Sequence, residues 1–191
     1  MSAAGDPPAA GRPGRARSLN PTELKRLHRE WRRRTSARTA LLLDAVQTPY
    51  NVGSIVRMAA AYRVEQLWLA GGAETPAHPG ARKTALGAER FVAWSVVDGA
   101  AQAVEEARAA GFRVVGVELA AGAAPLHELD LSGDVCLAFG HEDRGLSAAA
   151  LAGCDAVGFI PQLGKVGSLN VAMSAAIALY ELRRQEWTAE R

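Results

Sequence analysis

The feature that most constrains the fold of this chain is an alternation of two hydrophobic rhythms. Short continuous apolar runs recur from residue 40 to residue 160, and between them lie segments whose apolar residues repeat at helical spacing. The runs Ala40–Asp44, Gln66–Ala70, Phe91–Val97, Phe112–Glu118, Val135–Phe139 and Ala156–Ile160 are predicted as strands. Helices are predicted from Val52 to Arg63, Ala81 to Glu89, and Gly99 to Ala110, where Gly111 ends the element. A short helix capped by Ser147 and a long one from Leu169 to Trp187 complete the series. Strands alternating with helices predict an α/β domain with a mostly parallel sheet flanked by helices. The chain has no internal repeat, and 191 residues suit one globular domain with a short appendage.

The appendage is the N-terminus. Residues 1–18 are rich in Ala, Gly, Pro and Arg and are read as a disordered tail, because they hold too little apolar surface to order themselves. Asn20 is a plausible N-cap and Pro21 a helix start. From Pro21 to Arg34, Leu24, Leu27 and Trp31 form one apolar stripe suited to docking. Lys25, Arg26, Arg29, Arg32, Arg33 and Arg34 occupy the other faces. The net charge of +2 therefore hides an asymmetry. Residues 1–38 carry ten Lys/Arg against three Asp/Glu, and the rest carries twelve against seventeen. A basic arm on a mildly acidic body is an electrostatic footprint for nucleic acid, and equally that of a solvated tail. The expected organisation is a tail over 1–18, a basic arm over 19–38 and an α/β domain over 39–191.

Several classes are excluded or not expected. No apolar run approaches 18 residues, so no spanning helix is predicted, and the first residues lack the apolar core of a signal peptide. Cys136 and Cys154 stand apart from each other and from any Cys/His cluster. Neither a disulfide framework nor a metal site is expected, and a reducing cytoplasm is the expected location. The Walker phosphate loop, the dinucleotide G-x-G-x-x-G and the G-x-S-x-G elbow are all missing.

Ligands of open parallel sheets bind outside the carboxyl ends of the strands. Three clusters fall at such ends: Gln47–Arg57 (QTPYNVGSIVR), Gly140–Ser147 (GHEDRGLS) and Ile160–Asn170 (IPQLGKVGSLN). Each sets glycines and polar groups next to a buried strand. Arg57, on the first helix past a strand end, suits a carboxylate or phosphate partner; taken alone it reads as structural, an ion pair with Glu142 or Asp143 or a surface charge. Glu142 could stabilise its own turn. Ser168 and Asn170 suit helix capping, which does not exclude contact with a ligand.

Taken together, these clusters resemble the three signature motifs of the SpoU (TrmH) family of RNA ribose 2′-O-methyltransferases, within the SPOUT superfamily. The resemblance runs through Leu43–Val64, Leu137–Ser147 and Ile160–Leu182, and covers about residues 40–184. It implies a C-terminal deep trefoil knot, which neither composition nor periodicity suggests. It implies catalytic or supporting roles for Asn51, Arg57, Glu142, Ser168 and Asn170. It also implies a bent S-adenosylmethionine held largely by backbone at Gly140, Ile160 and Leu169, with Glu118 or Leu119 nearby. The implied partners are a tRNA or rRNA, with Arg26, Arg29, Arg32, Arg33 and Arg34 as RNA contacts, and a second copy of the chain meeting the last helix and the first-motif helix. Gln162, Gly167 and Tyr50 depart from the family pattern, where Met, an acidic residue and His are common. Two other readings share the fold: an RNA-binding module without methyl transfer, and a methyltransferase acting on a base.

Overall fold

The computed structural model describes residues 16–189. The chain divides into two compact units, with the boundary after Arg34. Most of the predicted tail, residues 1–15, lies outside the described residues. Residues 16–20 are exposed and without regular structure.

In the first unit, α1 (Pro21–Arg33) begins with a capping box. The Asn20 side chain accepts from the N–H groups of Thr22 and Glu23, and the Glu23 carboxylate accepts from the Asn20 N–H at 2.9 Å. Pro21 presets the first turn. No residue of α1 is buried, and its apolar stripe of Leu24, Leu27 and Trp31 stays exposed. The Arg34 guanidinium lies 4.4 Å over the Trp31 ring.

The second unit is a seven-stranded sheet: β1 (Thr39–Asp44), β2 (Gln66–Ala70), β3 (Ala93–Val96), β4 (Arg113–Val117), β5 (Ala124–Pro125), β6 (Val135–Phe139) and β7 (Ala156–Phe159). Its order is β3-β2-β1-β6-β4-β7-β5, and every strand pair is parallel. The helices are α2 (Pro49–Ala61), α3 (Pro79–Ala85), α4 (Ala100–Ala109), α5 (Ala148–Gly153) and α6 (Val171–Ala189). Because both faces of the sheet are covered, its central strands are apolar on successive residues rather than on alternate ones. In β1, Leu41 and Leu43 join a core with Ile55, Val56, Ala175 and Leu179 from α2 and α6. Ala40 and Leu42 point the other way, to a second core with Ala103, Val104 and Ala150 from α4 and α5. Among the described residues, no helix is long and apolar enough to cross a membrane.

The structure moves several predicted boundaries. Strands β2 and β6 match their expected ranges, while β3 and β4 are shorter at both ends. Helix α2 starts at Pro49, three residues before the expected Val52, because proline at the first helical position presets φ. Asn51 thus lies in the first helical turn, not in a loop. The expected helix over 81–89 is α3 followed by a 3-10 turn at Ala88–Phe91. Leu86 (φ 52°) and Gly87 (φ 82°) turn the chain left-handed between them. Strand β5 and the 3-10 turn after it were not expected. The Arg38 side chain, assigned by sequence to the basic arm, belongs to the sheet unit. It lies 2.8 Å from Asp134 and 4.6 Å over the Phe112 ring.

Candidate active site

The first and second motif loops meet at Glu142. The N-cap Thr48 makes no side-chain hydrogen bond to its own helix, so the orphan N–H groups at the start of α2 need another acceptor. Glu142 supplies it from 94 residues away: Oε1 accepts from the Thr48 N–H at 3.0 Å and Oε2 from the Gln47 N–H at 3.2 Å. The Asn51 side-chain amide donates to Oε1 at 3.0 Å. A carboxylate at a helix N-terminus is also favoured by the helix dipole. Partial burial alone would raise the Glu142 pKa. The donors from Asn51, from its own backbone and from Thr48 outweigh that and hold it lowered, to about 2.

The third motif joins through Asn170. Its amide nitrogen donates to Asn51 Oδ1 at 3.0 Å, and its Oδ1 accepts from the N–H groups of Ala172 and Met173 at 2.9 and 3.3 Å. Asn170 therefore caps α6 and holds Asn51 at the same time. An unbroken chain of hydrogen bonds runs from the start of α2 through Glu142, Asn51 and Asn170 to the start of α6. Ser168, the other expected capping residue, makes no such bond and is exposed.

Beside this chain lies a cavity of about 480 Å³. Its walls include Glu118, Leu119, Gly140, Glu142, Ile160, Ser168 and Leu169, so all the residues expected to hold a cofactor share one space. Asn51 and Asn170 do not line it. Arg57 is outside it, exposed on α2 two turns beyond the helix start, and makes no ion pair with Glu142 or Asp143. The RNA-contact candidates Arg26, Arg29, Arg32 and Arg33 are exposed on α1, and Arg34 is half-buried against Trp31.

The cavity wall requires glycine at two places. A Cβ on Gly140 would overlap the backbone of Gly145 and Leu146, where the second-motif turn closes on itself. Gly145 has φ 68°, and a Cβ there would strike the Glu118 carboxylate. Glu118 accepts from the N–H groups of Leu119 at 3.0 Å and Leu146 at 2.9 Å, tying the end of β4 to the same turn. Three carboxylates, Glu118, Glu142 and Asp143, face the cavity against one cation, Arg144. That lining suits a ligand carrying positive charge and backbone-sized polar groups.

Sequence reading missed some supporting residues. Asp44, buried at the end of β1, accepts from the Ser147 N–H at 2.8 Å and anchors the second-motif turn. An acidic residue closing a fully apolar strand was the available signal. Thr84 Oγ1 donates to the Tyr50 carbonyl at 2.9 Å and pins the start of α2 from α3. Nothing in sequence spacing marks that pair.

A parallel α/β sheet whose strand-end loops lock together beside an acidic, glycine-walled cavity is the architecture of an α/β ligand-binding domain without a phosphate loop. Comparison with known proteins gives that class a family: the chain belongs to the SpoU rRNA Methylase family, whose model matches residues 38–180. One relative is the 23S rRNA (guanosine-2′-O-)-methyltransferase RlmB of Acinetobacter baylyi, 36% identical over 76% of this chain and 59% of the relative. Another is the tRNA (guanosine(18)-2′-O)-methyltransferase of Escherichia coli, 30% identical over 90% of this chain and 73% of the relative. Among solved structures, the SpoU methyltransferase AviRb from Streptomyces viridochromogenes, in complex with the cofactor AdoMet, superposes with a TM-score of 0.73 at 31% identity. That match covers 81% of this chain and 62% of AviRb. The chain spans 56–61% of the length of the first three curated relatives it matches.

Proposed function

We propose that this protein transfers a methyl group from S-adenosylmethionine to a ribose 2′-hydroxyl of a tRNA or rRNA. The observation that carries the reading is an acidic cavity shared by Glu118, Leu119, Gly140, Ile160 and Leu169, braced by the Glu142–Asn51–Asn170 chain. These are the residues that would hold the donor. When bound, the sulfonium supplies an activated methyl group, and the protein's task is to present the nucleophile in line with it. The residues around the cavity would orient the ribose hydroxyl towards the donor methyl and let its proton leave to a base or to water, with the thioether as the leaving group. Arg57, whose guanidinium has no ion-pair partner among the described residues, contacts the target ribose and an adjacent phosphate and stabilises the developing alkoxide. Ser168, on the cavity rim, also faces that substrate. Asn51, Glu142 and Asn170 act by holding the three loops in register.

The arm, which ends with the first compact unit at Arg34, tracks the RNA backbone through Arg26, Arg29, Arg32, Arg33 and Arg34, and the methyltransferase domain begins at Thr35. A second copy covers α6, where Met173, Ile177 and Tyr180 stay exposed at helical spacing. The C-terminal segment is read as a trefoil knot. Supporting this, β6 enters the sheet between β1 and β4, β7 pairs on the far side of β4, and α6 nevertheless returns to pack against α2.

Titration calorimetry with S-adenosylmethionine, followed by nucleoside analysis of RNA treated with the protein and labelled donor, tests the proposal. The expected result is donor binding and label on ribose. Label on a base would replace the proposal with base methylation, and RNA binding without donor binding would leave only a binding module.

A further inference from the structure

Helix α3 and the 3-10 turn at Ala88–Phe91 carry a charge opposite to that of the sheet unit around them. From residue 39 onward the chain has twelve Lys/Arg against seventeen Asp/Glu, yet between Pro79 and Phe91 stand Arg82, Lys83 and Arg90 against the single acid Glu89. One oxygen of that acid is sealed from solvent, while all three cations are exposed. None of the three has an ion pair or a side-chain hydrogen bond among the described residues, whereas Arg108, Arg183 and Arg184 are each paired with a carboxylate.

Two apolar side chains lie open among these charges. The Arg90 guanidinium lies 4.8 Å over the Phe91 ring, and Phe91 is still 65% exposed. Leu86 is 66% exposed and held at φ 52°, in the left-handed region that a bulky side chain rarely adopts. Backbone strain and open apolar surface on one short segment are marks of a contact site. Its place ties it to the catalytic unit. Both α3 and the 3-10 turn pack on α2, the helix that carries Arg57. Gly80, Ala81 and Ala85 are the buried face of α3, and Thr84 donates to the carbonyl of Tyr50, one residue before Asn51. A nucleic-acid strand alternates anionic phosphates with flat bases, and free cations set beside an open ring match both. The centre of a protein interface is instead depleted in charge.

We propose that this patch is a second RNA contact, on the sheet unit itself: Arg82, Lys83 and Arg90 take phosphates of the strand that leads to the target ribose, and Phe91 stacks a flanking base. The proposal rests on the reading that the protein methylates RNA. It is tested on the full chain by filter binding of unfractionated tRNA and of fragmented rRNA across a salt series. The variants are Arg82→Gln, Lys83→Gln and Arg90→Gln combined, and Phe91→Ala alone. On whichever RNA the wild type binds, the triple variant should bind about tenfold more weakly and flatten the slope of log affinity against log salt by about 2, the effect of three phosphates. Phe91→Ala should also weaken binding about tenfold but leave the slope unchanged, because a stacked base releases no counterion. Both should bind S-adenosylhomocysteine in calorimetry as the wild type does, since none of these residues lines the cavity, and that binding also reports the fold. Either variant holding RNA within about twofold of the wild type would overturn the proposal. Such a result joined to a changed sedimentation mass would reassign the face to contact between copies of the chain. A wild type that binds S-adenosylhomocysteine but neither RNA would remove the functional reading with this inference, whereas ribose methylation at equal efficiency by wild type and variants would remove the inference alone.

Discussion

Replacing Glu142 by glutamine isolates the contribution of one charge at the junction of the three loops. In the wild type, Oε1 accepts from the Thr48 N–H and the Asn51 amide, and Oε2 from the Gln47 N–H. Glutamine is nearly the same shape. Its carbonyl can keep two of these donors, but its NH₂ then faces the third, donor against donor. Two hydrogen bonds fall from the charged to the neutral class and one is lost, a destabilisation of about 2–3 kcal/mol at neutral pH. The pH dependence provides an independent check. The carboxyl is lowered to about 2 in the folded chain and titrates near the ordinary carboxylate value when unfolded. Its stabilisation is therefore full above about pH 5 and is lost as pH falls towards 2. Allowing for solvent screening at a half-buried site, this titration accounts for about 1–2 kcal/mol of the total. Urea unfolding of wild type and Glu142→Gln at pH 7, 5, 4 and 3 should thus give two stability curves that converge on acidification. A gap below about 0.5 kcal/mol at pH 7, or one that stays constant to pH 3, would refute the argument that this charge fastens α2 to the second-motif turn.

Arg57→Ala should lower single-turnover methyl transfer by about 100-fold, the scale of a lost transition-state donor, while calorimetry finds donor affinity unchanged because Arg57 lies outside the cavity wall. Changing Arg26, Arg29, Arg32 and Arg33 together to Gln should weaken RNA binding and flatten the plot of log affinity against log salt, by about 0.7–0.9 for each phosphate no longer neutralised; filter binding across a salt series measures it. Gly140→Ala should lower stability by about 1–3 kcal/mol in thermal unfolding, because the added methyl meets the backbone of Gly145 and Leu146, which cannot yield as a side-chain tip would.

The centre of the sheet was legible in the sequence because its strands are buried on both faces. Leu41, Leu42 and Leu43 all have to be apolar, and such a run stands out against the helical spacing around it. The start of α2 was misread because Pro49, Tyr50 and Asn51 are residues that turns also use, and what tips them into a helix is the distant Glu142 accepting the free N–H groups. Strand β5 escaped because two residues paired with β7 leave no periodicity to detect. The site divides in the same way. Its residues could be named because the motifs occur in order, but their mechanical relation could not. Asn51 meets Glu142 across 91 residues and Asn170 across 119, and nothing local encodes either meeting. That relation changes what the motif residues are for. Asn51 spends its donor on Glu142 and its acceptor on Asn170, so little of its amide is left for a substrate. The position needs both a donor and an acceptor in one short side chain. Aspartate at this position would set a second charge against Glu142, and alanine would leave Asn170 free to cap α6 without holding α2. The second and third motif loops wall the cavity, and the first is hydrogen-bonded to both through Glu142 and Asn170. A ligand there therefore meets three loops already fixed to one another, and the ordering cost has been met in folding rather than at binding.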